Sequence, residues 1–442
     1  RKVWRNQNVG IRLRRAGIYL VAGLTITSAL VVTPPGHRGV IYSLSGRTDV
    51  GEDQGADPAA PIAGRQSGTL ILNEGVKLFG SASADYVVVN RGSQIFVNGS
   101  STDPVVMTGR QDVVGSSTAD TDQQWGGLIV LGRAPINNCP VGATAPTLAA
   151  PNAACEAQIE GADFALFGGA THNDNSGSID YLQIKFGGVE IGAGNEINGL
   201  TMGGVGAATN VSNVQVHRNF DDGIELFGGR VNISNAVLTG IGDDSLDLDF
   251  GWTGAVQGLI IVQEAGRGDH AFEFGDVDSQ PLTTHSKISN ATIISTGDDA
   301  MNVKEGHIMD LYNSVLVRSA TSQSCLKLDN AAATNDPSFN SVVLSCGTNF
   351  AGDDTPDDAT TQALFDAGAN NNTAFTSSLT NTFVNGSNEN SVTATAPVNH
   401  PFGSGTPASS FLSTPSNIGA VYTGNNTWYQ GWTCGLPGEA AC

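Results

Sequence analysis

Asp221-Asp222-Gly-Ile-Glu-Leu-Phe227, Asp243-Asp244-Ser-Leu-Asp-Leu-Asp249, Asp269-His270-Ala-Phe-Glu-Phe274, Asp298-Asp299-Ala-Met-Asn-Val303 and Ser324-Cys325-Leu-Lys-Leu328 are five versions of one phrase. Each opens on a polar pair and continues with apolar residues at every second position. Ile224, Leu226, Leu246, Leu248, Phe272, Phe274, Met301, Val303, Leu326 and Leu328 therefore point to one side of a short strand. A second phrase lies between these: Val211-Ser-Asn213-Val-Gln-Val216, Ile233-Ser-Asn235-Ala-Val-Leu238, Val256-Gln-Gly258-Leu-Ile-Ile261, Ile288-Ser-Asn290-Ala-Thr-Ile293 and Leu311-Tyr-Asn313-Ser-Val-Leu316. Its third positions are 22, 23, 32 and 23 residues apart, with an insertion near Gln280-Pro281 in the long interval. Two short strands and a turn in so short a period, repeated in order, predict an all-β right-handed parallel β-helix, a solenoid whose equivalent residues stack in ladders. The Asn row should bond along its own ladder.

Outward from this region the pattern continues. Residues 68–79, 85–97 and 125–132 read as earlier coils, and 339–346 and 379–384 as later ones. Composition agrees: only 14% of residues are charged, and 56 of 442 are Gly, which suits a chain of short strands and tight turns. The helix is expected over 43–400, with excursions near 138–156 and 351–373, the second an acidic polar loop leaving the solenoid. Residues 401–442, with Trp428, Tyr429 and Trp432, are expected to cap its C-terminal end. Residues 1–42 form a basic and apolar arm. Its run Ala16 to Val32 reads either as a β arm or as a membrane anchor.

The formal net charge is −21, which excludes nucleic acid as a partner of the body. Eight basic side chains and no acid lie in residues 1–48, leaving 13 basic against 42 acidic beyond them, a net of −29. A basic arm joined to an acidic body favours head-to-tail contacts between copies, with Arg5, Arg12, Arg14 and Arg15 as the assembly residues. The six cysteines fall as neighbours in sequence, Cys139 with Cys155, Cys325 with Cys346 and Cys434 with Cys442. Three disulfides in an oxidising compartment are the economical reading.

Three readings exist for the repeated acids. Asp at a turn accepts backbone N–H groups and needs no ligand, and recurrence in several coils suits that role. Laddered carboxylates also repel one another, which a hard cation with oxygen ligands relieves. Asp221, Asp222, Asp243, Asp244, Asp247 and Asp249 are the candidate calcium ligands, and calcium is the one cofactor the sequence suggests. Catalysis by paired carboxyls, as in glycosidases, is the third reading. His270, in the slot of Asp222, Asp244 and Asp299, reads first as a turn residue bonded to a neighbouring carboxylate.

Trp125-Gly-Gly-Leu-Ile-Val-Leu-Gly132, Asn173-Asp-Asn-Ser-Gly177, Asn195-Glu-Ile-Asn-Gly-Leu-Thr201 and Asp221-Asp-Gly-Ile-Glu225 with Phe227-Gly-Gly229 resemble a family of bacterial surface proteins from sphingomonad-like alphaproteobacteria and Bacteroidetes. The resemblance runs from about Ser43 to Gly435. It implies a parallel β-helix and export, but no established reaction. Gly297-Asp-Asp-Ala-Met-Asn-Val-Lys-Glu-Gly306 is similar to the Gly-Asp-Asp segment of polygalacturonases, although the Asn-Thr-Asp-Gly, Gly-His-Gly and Arg-x-Lys elements of that pattern are missing. The sequence thus predicts a non-enzymatic protein of the outer cell surface that assembles with itself or with another envelope protein. A carbohydrate-active β-helix, acting on or binding polysaccharide, is the alternative.

Overall fold

The computed structural model describes residues 18–21, 31–32, 41–44, 46–118, 121–192, 194–277, 280–329, 337–352, 356–400, 410–422, 424–425 and 427–442. It is a parallel β-helix of two large sheets. The second sheet is built of the acid-led phrases. Its ten strands, Arg47–Val50, Tyr86–Val89, Leu128–Leu131, Leu200–Gly203, Ile224–Phe227, Leu246–Asp249, Phe272–Phe274, Met301–Val303, Leu326–Leu328 and Phe350–Gly352, all pair in parallel. All ten apolar residues assigned inward are buried and belong to one continuous core. Burying each such side chain contributes about 1.5–3 kcal/mol.

The first sheet contains the Asn-bearing phrases as long strands, Gly177–Lys185, Asn210–His217, Asn232–Thr239, Ala255–Val262, His285–Ile294, Ile308–Arg318 and Ser338–Cys346. Each carries one residue with positive φ at the same register: Tyr181, Asn213, Asn235, Gly258, Asn290, Asn313 and Ser341, between 50° and 81°. That residue turns the strand around a corner. In the preceding coils the corner is a complete break, because Gln94–Asn98 pairs with the first half of Gly177–Lys185 and Val105–Gly109 with its second half. Asn and Gly recur there because they enter the left-handed region most cheaply. The amide ladder itself is short. Asn235 Nδ2 donates to Asn213 Oδ1 at 3.0 Å and Asn213 Nδ2 to Asp180 Oδ1 at 2.7 Å, but Gly258 ends the row.

Beyond that break, the row serves the C-terminal segment. Asn290 Nδ2 donates to the carbonyls of Asn417 and Gly419. Single carboxamides hold one residue each through both its N–H and its C=O: Asn313 with Thr395, Gln257 with Ser413, and Gln215 with Cys434. The tail thus runs back along the outer face of the first sheet, packing Phe383, Val421 and Trp432 on Val237 and Ile260. It straps the flank of the stack, where an end cap was expected. Residues 379–384 belong to this strap and form no further coil: Thr380 and Val384 make an isolated antiparallel bridge, and Val384 a parallel one with Val421 of the same strap.

The end is closed by a different element. The expected acidic loop contains the helix Asp358–Asp366, capped by Asp357 Oδ1 on the N–H of Thr360. Its Phe365 is fully buried beside Phe339 and Phe350, so one apolar face covers the last coil's open strands. The three neighbour disulfides are formed. In the arm, Ile18–Val21 pairs antiparallel with Thr69–Leu72, and Val31–Val32 with Ile41–Tyr42. Arg5, Arg12, Arg14 and Arg15 lie outside the described residues. Among the described residues no helix is long and apolar enough to cross a membrane.

Candidate functional site

One outward-facing row follows eight consecutive strands of the second sheet: Val88, Ile129, Thr201, Glu225, Asp247, Glu273, Asn302 and Lys327, each in register with the next. Its first members are apolar and covered. The excursion closed by Cys139–Cys155 folds over them, placing Ile136, Ile159, Ala165 and Phe167 against Tyr86, Val88, Ile129 and Leu131. Arg91 anchors this cover from beneath, paired with Asp53 at 2.7 Å and with Glu156 at 2.6 Å. Where the cover stops, the row becomes three carboxylates on consecutive coils.

A second line of acids flanks the row at the turn before each strand. Asp222 Oδ1 accepts the N–H of Asp244 at 2.9 Å, Asp244 Oδ1 that of His270 at 2.6 Å, and Asp299 Oδ1 that of Ser324 at 2.5 Å. The turn role expected of these aspartates is therefore real. It uses one oxygen of each and leaves the other for further chemistry. Of the six candidate calcium ligands, Asp221, Asp222 and Asp243 come together, Asp222 joins Glu225 and Asp247, and Asp244 joins Asp247 and Glu273. Within each trio the ligand atoms lie within 4.8 Å of one another. Asp249 belongs to none of these trios; its Oδ1 accepts the N–H of Phe250.

Glu225 and Glu273 were not singled out from sequence, nor were Glu160 and Glu196, which extend the acidic zone from the covering side. Glu160 Oε1 accepts the N–H of Glu196 at 3.1 Å. The signal for the first two was present: the residue three places beyond the second turn position is acidic in three successive phrases. It reads as ordinary strand alternation until the register stacks those positions. Glu160 and Glu196 come from segments distant in sequence and carry no such signal.

Stacked coils place like charges about 4.8 Å apart, a repulsion on the order of 3 kcal/mol per ionised pair at a protein-like dielectric. Burial and these neighbours together raise the carboxyls. Asp222, Glu225 and Asp247 are pushed well above the usual range, first by desolvation and then by each other and by Asp244, Glu273 and Asp249. Asp221 is pushed up to about 8 by burial, Asp243 and Glu196, and Asp244 to about 10 by burial, Glu273 and Asp247. Burial takes Glu160 and Asp249 to about 7. Lys304, 3.0 Å from Glu273, answers part of this charge. At neutral pH such an array is filled by protons or by cations. The donors of the three trios are all carboxylate oxygens, the set that suits a hard divalent ion such as calcium.

A family model described as a pectate-lyase-like beta helix domain matches residues 59–433. Neither a curated protein nor a solved structure matches the chain.

Proposed function

We propose that this chain, which belongs to the pectate-lyase-like β-helix family, is a carbohydrate-active protein of the cell exterior that holds acidic polysaccharide through divalent cations on the outer face of its second sheet. One observation carries the reading: Glu225, Asp247 and Glu273 stack in register beside Asp222 and Asp244, and Lys304 pairs with Glu273 at one end of the row. A uronate chain and this wall repel each other directly. A calcium ion with six to eight oxygen ligands joins them, taking some from the protein and some from the sugar carboxylate. Phe220 and Phe164, exposed beside Asp221 and in the loop of Glu160 respectively, offer ring faces on which sugars stack.

Three disulfides support an oxidising location, and the motif resemblance to bacterial surface proteins supports the same. The test is retention of polygalacturonate on the full chain with calcium and with EDTA, assayed alongside release of new chain ends. Calcium-dependent retention lost in Glu225→Gln/Asp247→Asn is the expected result. Equal retention in EDTA contradicts the reading.

A second reading, assembly into filaments with itself or docking on another envelope protein, is favoured by the split between the basic arm and the −29 remainder. Deleting residues 1–35 then abolishes polymers seen by electron microscopy. Polymers that survive the deletion remove it.

A further inference from the structure

The fourth trio differs in kind. It consists of Asp244, Asp269 and His270, again with ligand atoms within 4.8 Å of one another. His270 stands in the turn slot that carboxylates fill in neighbouring coils, and it is only 7% exposed. Its Nδ1 is buried without a hydrogen-bond partner. That atom nevertheless lies 3.2 Å from Asp269 Oδ1 and 3.8 Å from Asp244 Oδ1. A buried imidazole nitrogen facing two carboxylate oxygens without a hydrogen bond to either is a donor left over for a ligand, and Asp244 Oδ1, which already accepts the N–H of His270, has a second lone pair to offer beside it.

We propose that His270, Asp244 and Asp269 form a second cation site, selective for a borderline transition ion such as Zn²⁺ or Co²⁺, which shares Asp244 with the all-oxygen trio of Asp247 and Glu273. The spacing fits. Ligands about 2.1 Å from a tetrahedral ion are about 3.4 Å apart, and the two separations at Nδ1 bracket that value. The donor type fits too, since imidazole suits zinc and its neighbours while all-carboxylate sets suit calcium and magnesium. Asp244 Oδ1, held by the N–H of His270 at 2.6 Å, faces this site, and the other oxygen of the same carboxylate is left for the trio of Asp247 and Glu273. Asp269 has a side chain 47% exposed, so it opens the site to solvent and leaves a coordination position for water or a sugar hydroxyl. An ion there would lie on the same two coils as the trio of Asp244, Asp247 and Glu273, and the shared carboxylate would couple the two.

This inference goes beyond the calcium reading and fails separately from it. The full chain is titrated with Co²⁺ in a large excess of calcium, following visible absorption and bound metal after dialysis. One Co²⁺ per chain is expected, displaced by Zn²⁺. His270→Gln and Asp269→Asn should each weaken it at least tenfold while leaving calcium-induced thermal stabilisation intact. Asp247→Asn/Glu273→Gln should lose the calcium effect and keep the cobalt. Asp269 is half-exposed, so its variant tests the site even where His270→Gln impairs folding. Absence of retained Co²⁺, or retention unchanged in Asp269→Asn, overturns the proposal whatever calcium does.

Discussion

The two halves of the second sheet's outer face share one backbone and one register, yet they meet opposite fates. Toward the N-terminus the row reads Val88, Ile129 and is buried under a disulfide-closed excursion. Toward the C-terminus it reads Glu225, Asp247, Glu273, the first buried and the other two half-exposed. The strand geometry permits either outcome, and the side chains choose. Apolar outward residues require a covering layer, whereas stacked, partly buried carboxylates call for protons or a counter-charge. The boundary between the halves is where Glu160, just beyond the excursion, and Glu196, on the hairpin strand Asn195–Ile197, meet the acids of the coils.

The largest expected effect comes from extending the acidic half under the cover. Ile129→Asp places an unpaired charge in a fully buried position and should destabilise by about 4 kcal/mol or more, read by denaturant unfolding. Only a mild loss would mean that the excursion is not packed on the sheet. Opening the staple is the next largest. Cys139→Ala/Cys155→Ala releases a loop of 16 residues, a loss of about 3 kcal/mol, and should expose the apolar half to a hydrophobic dye.

The charged half responds to pH instead. A carboxyl whose pKa is raised on folding binds its proton more tightly in the native state. Its stabilising contribution is therefore full at low pH and lost as pH rises through the folded value. For Asp249, Asp221 and Asp244 those values are about 7, 8 and 10. The metal-free melting temperature should fall between about pH 5 and 9, starting above the ordinary carboxylate range, and millimolar calcium should flatten the slope. A metal-free profile that is already flat would show that these acids are not coupled. Smallest is Asp247→Asn, which relieves the cost of keeping this carboxyl buried among like groups and should raise the metal-free melting temperature at pH 8 by a few degrees while weakening the calcium response.

The architecture was legible because a ladder fold repeats its chemistry at a fixed interval. The period of Asn213, Asn235, Asn290 and Asn313 and the alternation in Leu246-Asp-Leu248 both follow from backbone geometry. What the Asn residues do was less legible: the corner needs positive φ, and hydrogen bonding between amides is secondary. The strap escaped because Thr395, Ser413 and Cys434 are held through their backbones, which leaves no mark on side-chain identity. The helix at 358–366 escaped because a single buried Phe365 in an acidic stretch resembles a loop. At the site, the turn aspartates stood out as pairs, while Glu225 and Glu273 became visible only once the register stacked them.

The central claim is that the acidic half of the second sheet binds cations. It is tested most directly by a crystal structure of the full chain grown with calcium near neutral pH. The account predicts calcium among Asp222, Glu225, Asp247 and Glu273, with carboxylate oxygens at about 2.3–2.6 Å. Carboxyls paired to one another through shared protons, with no ion among them despite excess calcium, would contradict it.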